Sequence, residues 1–274
     1  MIDEVIARIY QERLDGDKFK SCSKKNIRVV NPMKKHFSSY YRPTPEEFKN
    51  IWDNCIFGLD ANVLLKLYRY TPETREDFIR TLEKISSRLW IPYQAALEYQ
   101  ENRLKVINEQ ETAYDDIKEK LIIHSNGISK ELNNFKYHPF IKKDDLINTI
   151  NTTFEKIYSE LDGCSKHHPN LIKNDIIRER LTELLNGKVG EPCSQEQIDH
   201  ICKMGKSRYE QKVPPGYKDI DKDKGDKNSI RRYGDLIIWF QIIEKSKKDE
   251  NNIIFITDDK KEDWWWIFKG DTIG

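Results

Sequence analysis

Four carboxylates at telling positions set the chemistry this sequence can do. Asp60 closes the apolar run CIFGLD, and Asp258 with Asp259 closes IFITDD; both runs are too short for independent helices and read as buried strands. Asp235 falls in the first turn of the helical pattern YGDLIIWFQIIEK, and Glu98 lies one to two turns into the helix that follows LWIPY. In open parallel sheets, loops from neighbouring βα units meet beyond the carboxyl ends of the strands. Four acids from four separated elements could therefore converge on one pocket. Oxygen-only donors suit Mg²⁺ or Mn²⁺, which keep several waters and leave positions for a substrate phosphate. Without a cation the cluster would repel itself.

Each acid also has a plainer use. Asp60 and Asp235 could serve as helix N-caps, Glu98 as a solvated charge, and TDDKKED as a polar turn ahead of a capped helix. The case for a shared site is joint, because independent caps and solvated charges would less often occupy all the positions a metal site requires.

Other chemistries fit less well. The chain shows no Ser, His, Asp constellation, no GxxxxGK[ST] loop and no GxGxxG turn. A phosphatase of the haloacid dehalogenase type would need a second Asp two residues after Asp60 as proton donor, and that position is Asn62. A receiver domain would need its acids in another order. A zinc site drawn from Cys164, His167, His168, Cys193, His200 and Cys202 lacks a familiar ligand rhythm.

The elements that must position these acids follow from pattern and composition. With 274 residues, 37% apolar and 34% charged, the chain suggests long solvated helices around a modest core. A net charge of +1 gives no global attraction to nucleic acid or membrane, so any basic surface must be local. No apolar run approaches a membrane span, and the N-terminus carries acids where a signal peptide would be basic. Five cysteines without a CxxC pair fit reduced thiols, and together these features predict a cytoplasmic protein with no membrane partner.

Residues 1–39 read as an N-terminal appendage, a helical stretch followed by a basic segment; from Lys18 to Arg42 there are eight Lys or Arg and no acid. It is a candidate surface for a protein partner or a homo-oligomer. From Tyr40 the chain predicts a short helix capped by Thr44, then strand CIFGLD, a helix, a second helix capped by Thr71, strand LWIPY, and a largely helical insertion over about 99–210. Residues 214–232 are apolar-poor and dense in both charges, which predicts a mobile loop. A helix bearing Leu236, Ile237, Phe240 and Ile243 on one side and a buried strand NNIIFITDD follow. Short apolar strands alternating with helices argue for an α/β fold, a three-layer α/β/α sandwich with a central parallel sheet.

The strings FGLDANVLL, WIPYQAALEY, YGDLIIW and FITDDKKEDWW resemble the motifs of the PIN-like nucleases, in particular a bacterial branch with a long helical insertion between the second and third acids. The resemblance runs from about Tyr40 to the C-terminus and implies a PIN-like domain over 40–274. By it Asp60, Glu98, Asp235 and Asp259 are the first to fourth catalytic metal ligands, with Asp258 beside them a further candidate. Asn62 and Thr257 match polar positions that orient the first acid. The implied activity is hydrolysis of RNA or DNA phosphodiesters by two Mg²⁺ or Mn²⁺ ions, leaving a 5′ phosphate and a 3′ hydroxyl; PIN-like folds can also survive as catalytically silent binding modules. The resemblance further leads one to expect such a chain to continue past Gly274.

Substrate contact needs cations near the acids. From Lys203 to Arg232 there are ten Lys or Arg against five acids. Lys218 is placed to bind a phosphate oxygen and Tyr217 to stack on a base, with a solvated charge-rich loop as the plainer alternative. Lys260 and Lys261 are similar candidates. The run Trp264 to Trp266 reads as packing of a last helix more than as a base-stacking platform.

Overall fold

The structure, a computed structural model, describes residues 32–37, 40–134, 138–221, 230–265 and 267–272. The acid-poor stretch expected in the appendage lies mostly outside the described residues. Two compact units are present: one holds the described residues up to Gln100 together with those from Leu181 onward, and the other is Glu101–Arg180.

The first unit opens with α1 (Pro32–His36) and α2 (Pro45–Asn54). Thr44 caps α2 as the sequence predicts, and the structure adds a reciprocal box with Glu47. Strand β1 (Ile56–Leu59) follows, then α3 (Ala61–Leu65), and α4 (Pro72–Lys84), which Thr71 caps. Strand β2 (Leu89–Trp90) leads into α5 (Tyr93–Asn134), whose 42 residues continue into the second unit. The first unit resumes with α8 (Gln195–Glu210), α9 (Gly234–Asp249) and β3 (Ile253–Ile256), and the described chain closes on a small antiparallel pair, β4 (Ile267–Phe268) and β5 (Asp271–Thr272).

The fold is α/β with a small parallel sheet in the order β2-β1-β3. Strand β1 pairs in parallel with both neighbours, Phe57 opposite Leu89 and Ile254. Phe57 and Leu59 are almost fully buried, and Val63, Leu64 and Leu67 continue the core along α3 and the turn after it. The ladder extends one residue beyond β1, because Asp60 N–H donates to the Ile256 carbonyl at 3.0 Å. Strand β3 is only partly buried along its length, where the sequence predicts a buried strand; it lies at one edge of the described sheet, covered less than β1 at the centre.

Helix α9 buries Leu236, Ile237, Ile238, Gln241 and Ile242, a wider face than the single expected side. It shares a core with Ile201 and Tyr209 of α8, and Tyr217 and Tyr233 pack against that core. Two local expectations fail. Residues 214–221 do not form a solvated loop: Pro215, Gly216 and Asp219 are buried and Tyr217–Asp221 is a 3₁₀ turn. Residues 222–229 lie outside the described residues. Nor does a last helix follow TDDKKED, where a turn and the β4-β5 pair stand instead.

In the second unit α5 is followed by α6 (Lys143–His167) and by the start of α7 (Ile176–Leu184). Buried Arg103 pairs with buried Asp175, whose other oxygen accepts from Arg178 N–H at 2.9 Å and so caps α7. Among the described residues no helix is long and apolar enough to cross a membrane.

Candidate active site

Asp60 ends β1 and starts α3, so its carboxylate stands where the first turn of α3 presents N–H groups. It is 6% exposed. One oxygen accepts from Ala61 N–H at 2.7 Å, which is the capping role; the other accepts from Asn62 Nδ2 at 2.8 Å and from the Thr257 hydroxyl at 2.6 Å. Burial raises the Asp60 pKa above its usual value and the charge of Asp259 raises it further, while the three donors pull it back. Asn62 Oδ1 also accepts from Asp258 N–H at 2.9 Å, so this one amide ties α3 to the end of β3. With both its ends engaged and no acidic proton to give, Asn62 cannot serve as the proton donor of a dehalogenase-type phosphatase.

Thr257 links the first acid to the fourth. Its hydroxyl oxygen takes Asp259 N–H at 3.0 Å while donating to Asp60. Asp259 in turn accepts from Lys261 N–H at 2.8 Å, and the Lys261 ammonium lies 3.2 Å from the other Asp259 oxygen and 3.6 Å from Asp219. Burial pulls the Lys261 pKa down, but the charges of Asp219, Asp259 and Asp235 outweigh it and hold the amine above its usual value. A cation thus already stands between these acids.

Asp235 occupies the first turn of α9, where the helix dipole favours a carboxylate. The Trp264 indole N–H donates to Asp235 Oδ2 at 2.9 Å, and the same indole stacks on Phe255 of β3 with ring centroids 5.7 Å apart. Gly216, at φ +81°, lets the 214–219 turn approach: a Cβ there would fall 2.7 Å from Asp235 Cβ and 2.8 Å from the Tyr209 hydroxyl. Asp263 holds this turn, taking Gly216 N–H on its carbonyl and Lys218 N–H on Oδ2, each at 3.1 Å.

Glu98 reaches the same end of α9. A Cβ on Gly234 would lie 2.5 Å from Glu98 Oε1, so only glycine admits the carboxylate beside the residue that precedes Asp235. Gln94 steadies it, donating to Glu98 Oε1 at 3.0 Å while the Gln94 backbone N–H is held by Gln241.

Of the acids expected to act together, Asp60 and Asp259 are linked through Thr257, Asp235 begins α9 and Glu98 lies against Gly234 beside it, while Lys261 links Asp259 to Asp219, an acid outside the expected set. Asp258 stands apart, its carboxylate 2.6 Å from Lys66. Tyr217 packs against the α8–α9 core, Lys218 pairs with Glu262 at 3.0 Å, and Lys260 is exposed. Sequence pattern does not mark Asp219 and Asp263 as parts of the site, since one reads as loop charge and the other as the start of a packing helix.

Among the described residues no three His, Cys, Asp or Glu side chains stand so as to enclose a metal ion. For the zinc alternative this agrees with His168 bonded to Tyr114 and Cys193 bonded to Gln241. For the acids, the donor chemistry still fits a hard divalent cation: every side-chain donor is an oxygen, and the Lys261 ammonium between Asp219 and Asp259 stands in for positive charge. Compared with known proteins, the chain matches a family model described as a PIN like domain over residues 56–274. No curated protein and no solved structure matches the chain.

Proposed function

The chain belongs to the PIN-like domain family, and from that premise we propose that it is a metal-dependent nuclease hydrolysing phosphodiester bonds of RNA or DNA. The observation that carries this reading is Asp60: a buried carboxylate raised in pKa by burial and by Asp259, yet provided with three donors that favour its charged form. That is a costly arrangement for a fold to keep unless the charge is used.

Mg²⁺ or Mn²⁺, as a pair of ions, would supply activation of water and stabilisation of the departing oxygen. Asp60, Glu98, Asp235 and Asp259 would hold the ions. Asn62 and Thr257 orient Asp60, Gln94 steadies Glu98 and Trp264 fixes one oxygen of Asp235. Lys218 and Lys260, on the exposed side, would bind backbone phosphates without reading sequence.

One observation favours a silent binding module instead: Lys261 already neutralises part of the cluster. Incubating the protein with labelled single-stranded RNA, single-stranded DNA and branched duplex, with Mg²⁺ or Mn²⁺ and with chelator, separates the two. Cleavage of any of these that chelator stops supports the nuclease; binding without cleavage under all conditions refutes it in favour of the module.

A further inference from the structure

The turn that carries Asp219 is built inward although its sequence is charge-rich. Asp219 is 4% exposed, and its carboxylate shares the Lys261 ammonium with Asp259. The turn is fixed from three sides: Asp263 binds two of its N–H groups, Gly216 lies against Asp235, and Tyr209 closes beneath. Two polar atoms in this place, the Tyr209 hydroxyl and Asp263 Oδ1, are buried with no hydrogen-bond partner among the described residues. Tyr209 is 4% exposed and Asp263 0%. The Tyr209 hydroxyl and Asp235 lie against the same glycine, Gly216, and burial together with the charges of Asp235, Asp219 and Asp263 raises the Tyr209 pKa.

A buried carboxylate needs a cation or donors to offset its lost hydration. The fold brings Asp219 to the same ammonium as Asp259, and two buried polar atoms without a hydrogen-bond partner among the described residues belong to the side chains that hold its turn. We propose that Asp219 is a fifth carboxylate of the cation-binding cluster and that the Lys261 ammonium occupies a position which a divalent cation takes over when it binds. The inference rests on the nuclease reading only in treating the cluster as a cation site. Lys261 is then a competitor of the metal, and Asp219 a ligand that the linear order of the four acids does not reveal.

A double-mutant cycle on the full chain tests this, with Mn²⁺ alone as probe and calorimetry or electron paramagnetic resonance as readout, in the absence of nucleic acid. Lys261→Met should bind Mn²⁺ at least about tenfold more tightly than the parent, since one competing charge a few ångströms away is gone. Asp219→Asn, nearly isosteric, should weaken binding by about tenfold or more in the Lys261→Met background, where Asp219 can no longer act through the ammonium. Thermal unfolding of each variant shows that it is folded. Equal affinity of parent and Lys261→Met overturns the competition. Equal affinity of Lys261→Met and the double variant overturns Asp219 as a ligand, and absence of Mn²⁺ binding in all four proteins overturns both. Failure of the nuclease reading is distinct: it would show as the expected Mn²⁺ pattern in a protein that cleaves none of the three nucleic acids.

Discussion

Thr257 donates its hydroxyl hydrogen to Asp60 at 2.6 Å and takes the Asp259 N–H on the same oxygen at 3.0 Å. A single side chain at the end of β3 thereby sets the spacing of two acids that repel each other. Repulsion between Asp60 and Asp259 is a cost of holding them together, and that cost is measurable.

Asp60→Asn should abolish metal-dependent cleavage and leave stability within about 1 kcal/mol of the parent, because relief of repulsion offsets the loss of one acceptor. The sign of the pH dependence follows from the raised Asp60 pKa. A carboxyl whose folded value exceeds the unfolded value of about 3.9 binds more protons folded than unfolded, so stability falls as pH rises from there through the folded pKa. Denaturant unfolding in chelator from about pH 4 to about pH 7 should show that decline in the parent and a shallower one in Asp60→Asn. Equal slopes would remove Asp60 as the source.

Trp264→Phe keeps an aromatic ring against Phe255 but deletes the donor to Asp235. Loss of a hydrogen bond to a charged group should cost about 1.5–3 kcal/mol. Divalent affinity should fall with it, read by Mn²⁺ titration. A variant destabilised by this amount but unchanged in Mn²⁺ affinity would make Trp264 a packing residue only.

Gly234→Ala tests Glu98 without touching it. The backbone at Gly234 is helical, and the new methyl meets only the far end of a flexible side chain. The fold should survive, while Glu98 is pushed aside and cleavage drops by about tenfold or more, as expected when a catalytic group is misplaced by an ångström. Undiminished turnover would show that Glu98 can work from another rotamer or does not work at all.

Lys218→Gln with Lys260→Gln should weaken nucleic-acid binding alike across sequences and reduce the salt slope by about one unit for each phosphate no longer neutralised. Filter binding at several salt concentrations checks it. Because Lys218 is paired with Glu262, its share should be the smaller. A salt slope equal to the parent's would exclude both as phosphate ligands.

The strand ends are legible because IFGL and IIFI are short, apolar and closed by acids, and because a βα pattern predicts where such ends meet. The capping role that the sequence offers for Asp60 is met by one oxygen, while the other faces Asn62 and Thr257, contacts that no local pattern announces. What pattern cannot supply is the inward fold of 214–219. Local composition there is that of a solvated loop, and the burial of Asp219 depends on Asp263 and Tyr209, neighbours that no periodicity encodes. The Trp run misleads in the same way: Trp264 does pack, on Phe255, but from a turn, with its N–H bonded to Asp235.

The bond from Asn62 to Thr257 joins residues 195 positions apart, and the partner that completes β1 on its second side is made late. At a synthesis rate of about 5–20 residues per second, roughly 10–40 s pass between the emergence of Asp60 and that of Thr257. For all of that interval a ribosome-bound chain lacks Asp259 and Lys261, and for most of it Asp235 and β3 as well. The order of translation therefore leaves the Asp60 carboxylate without the Thr257 hydroxyl that holds it until β3 has been made.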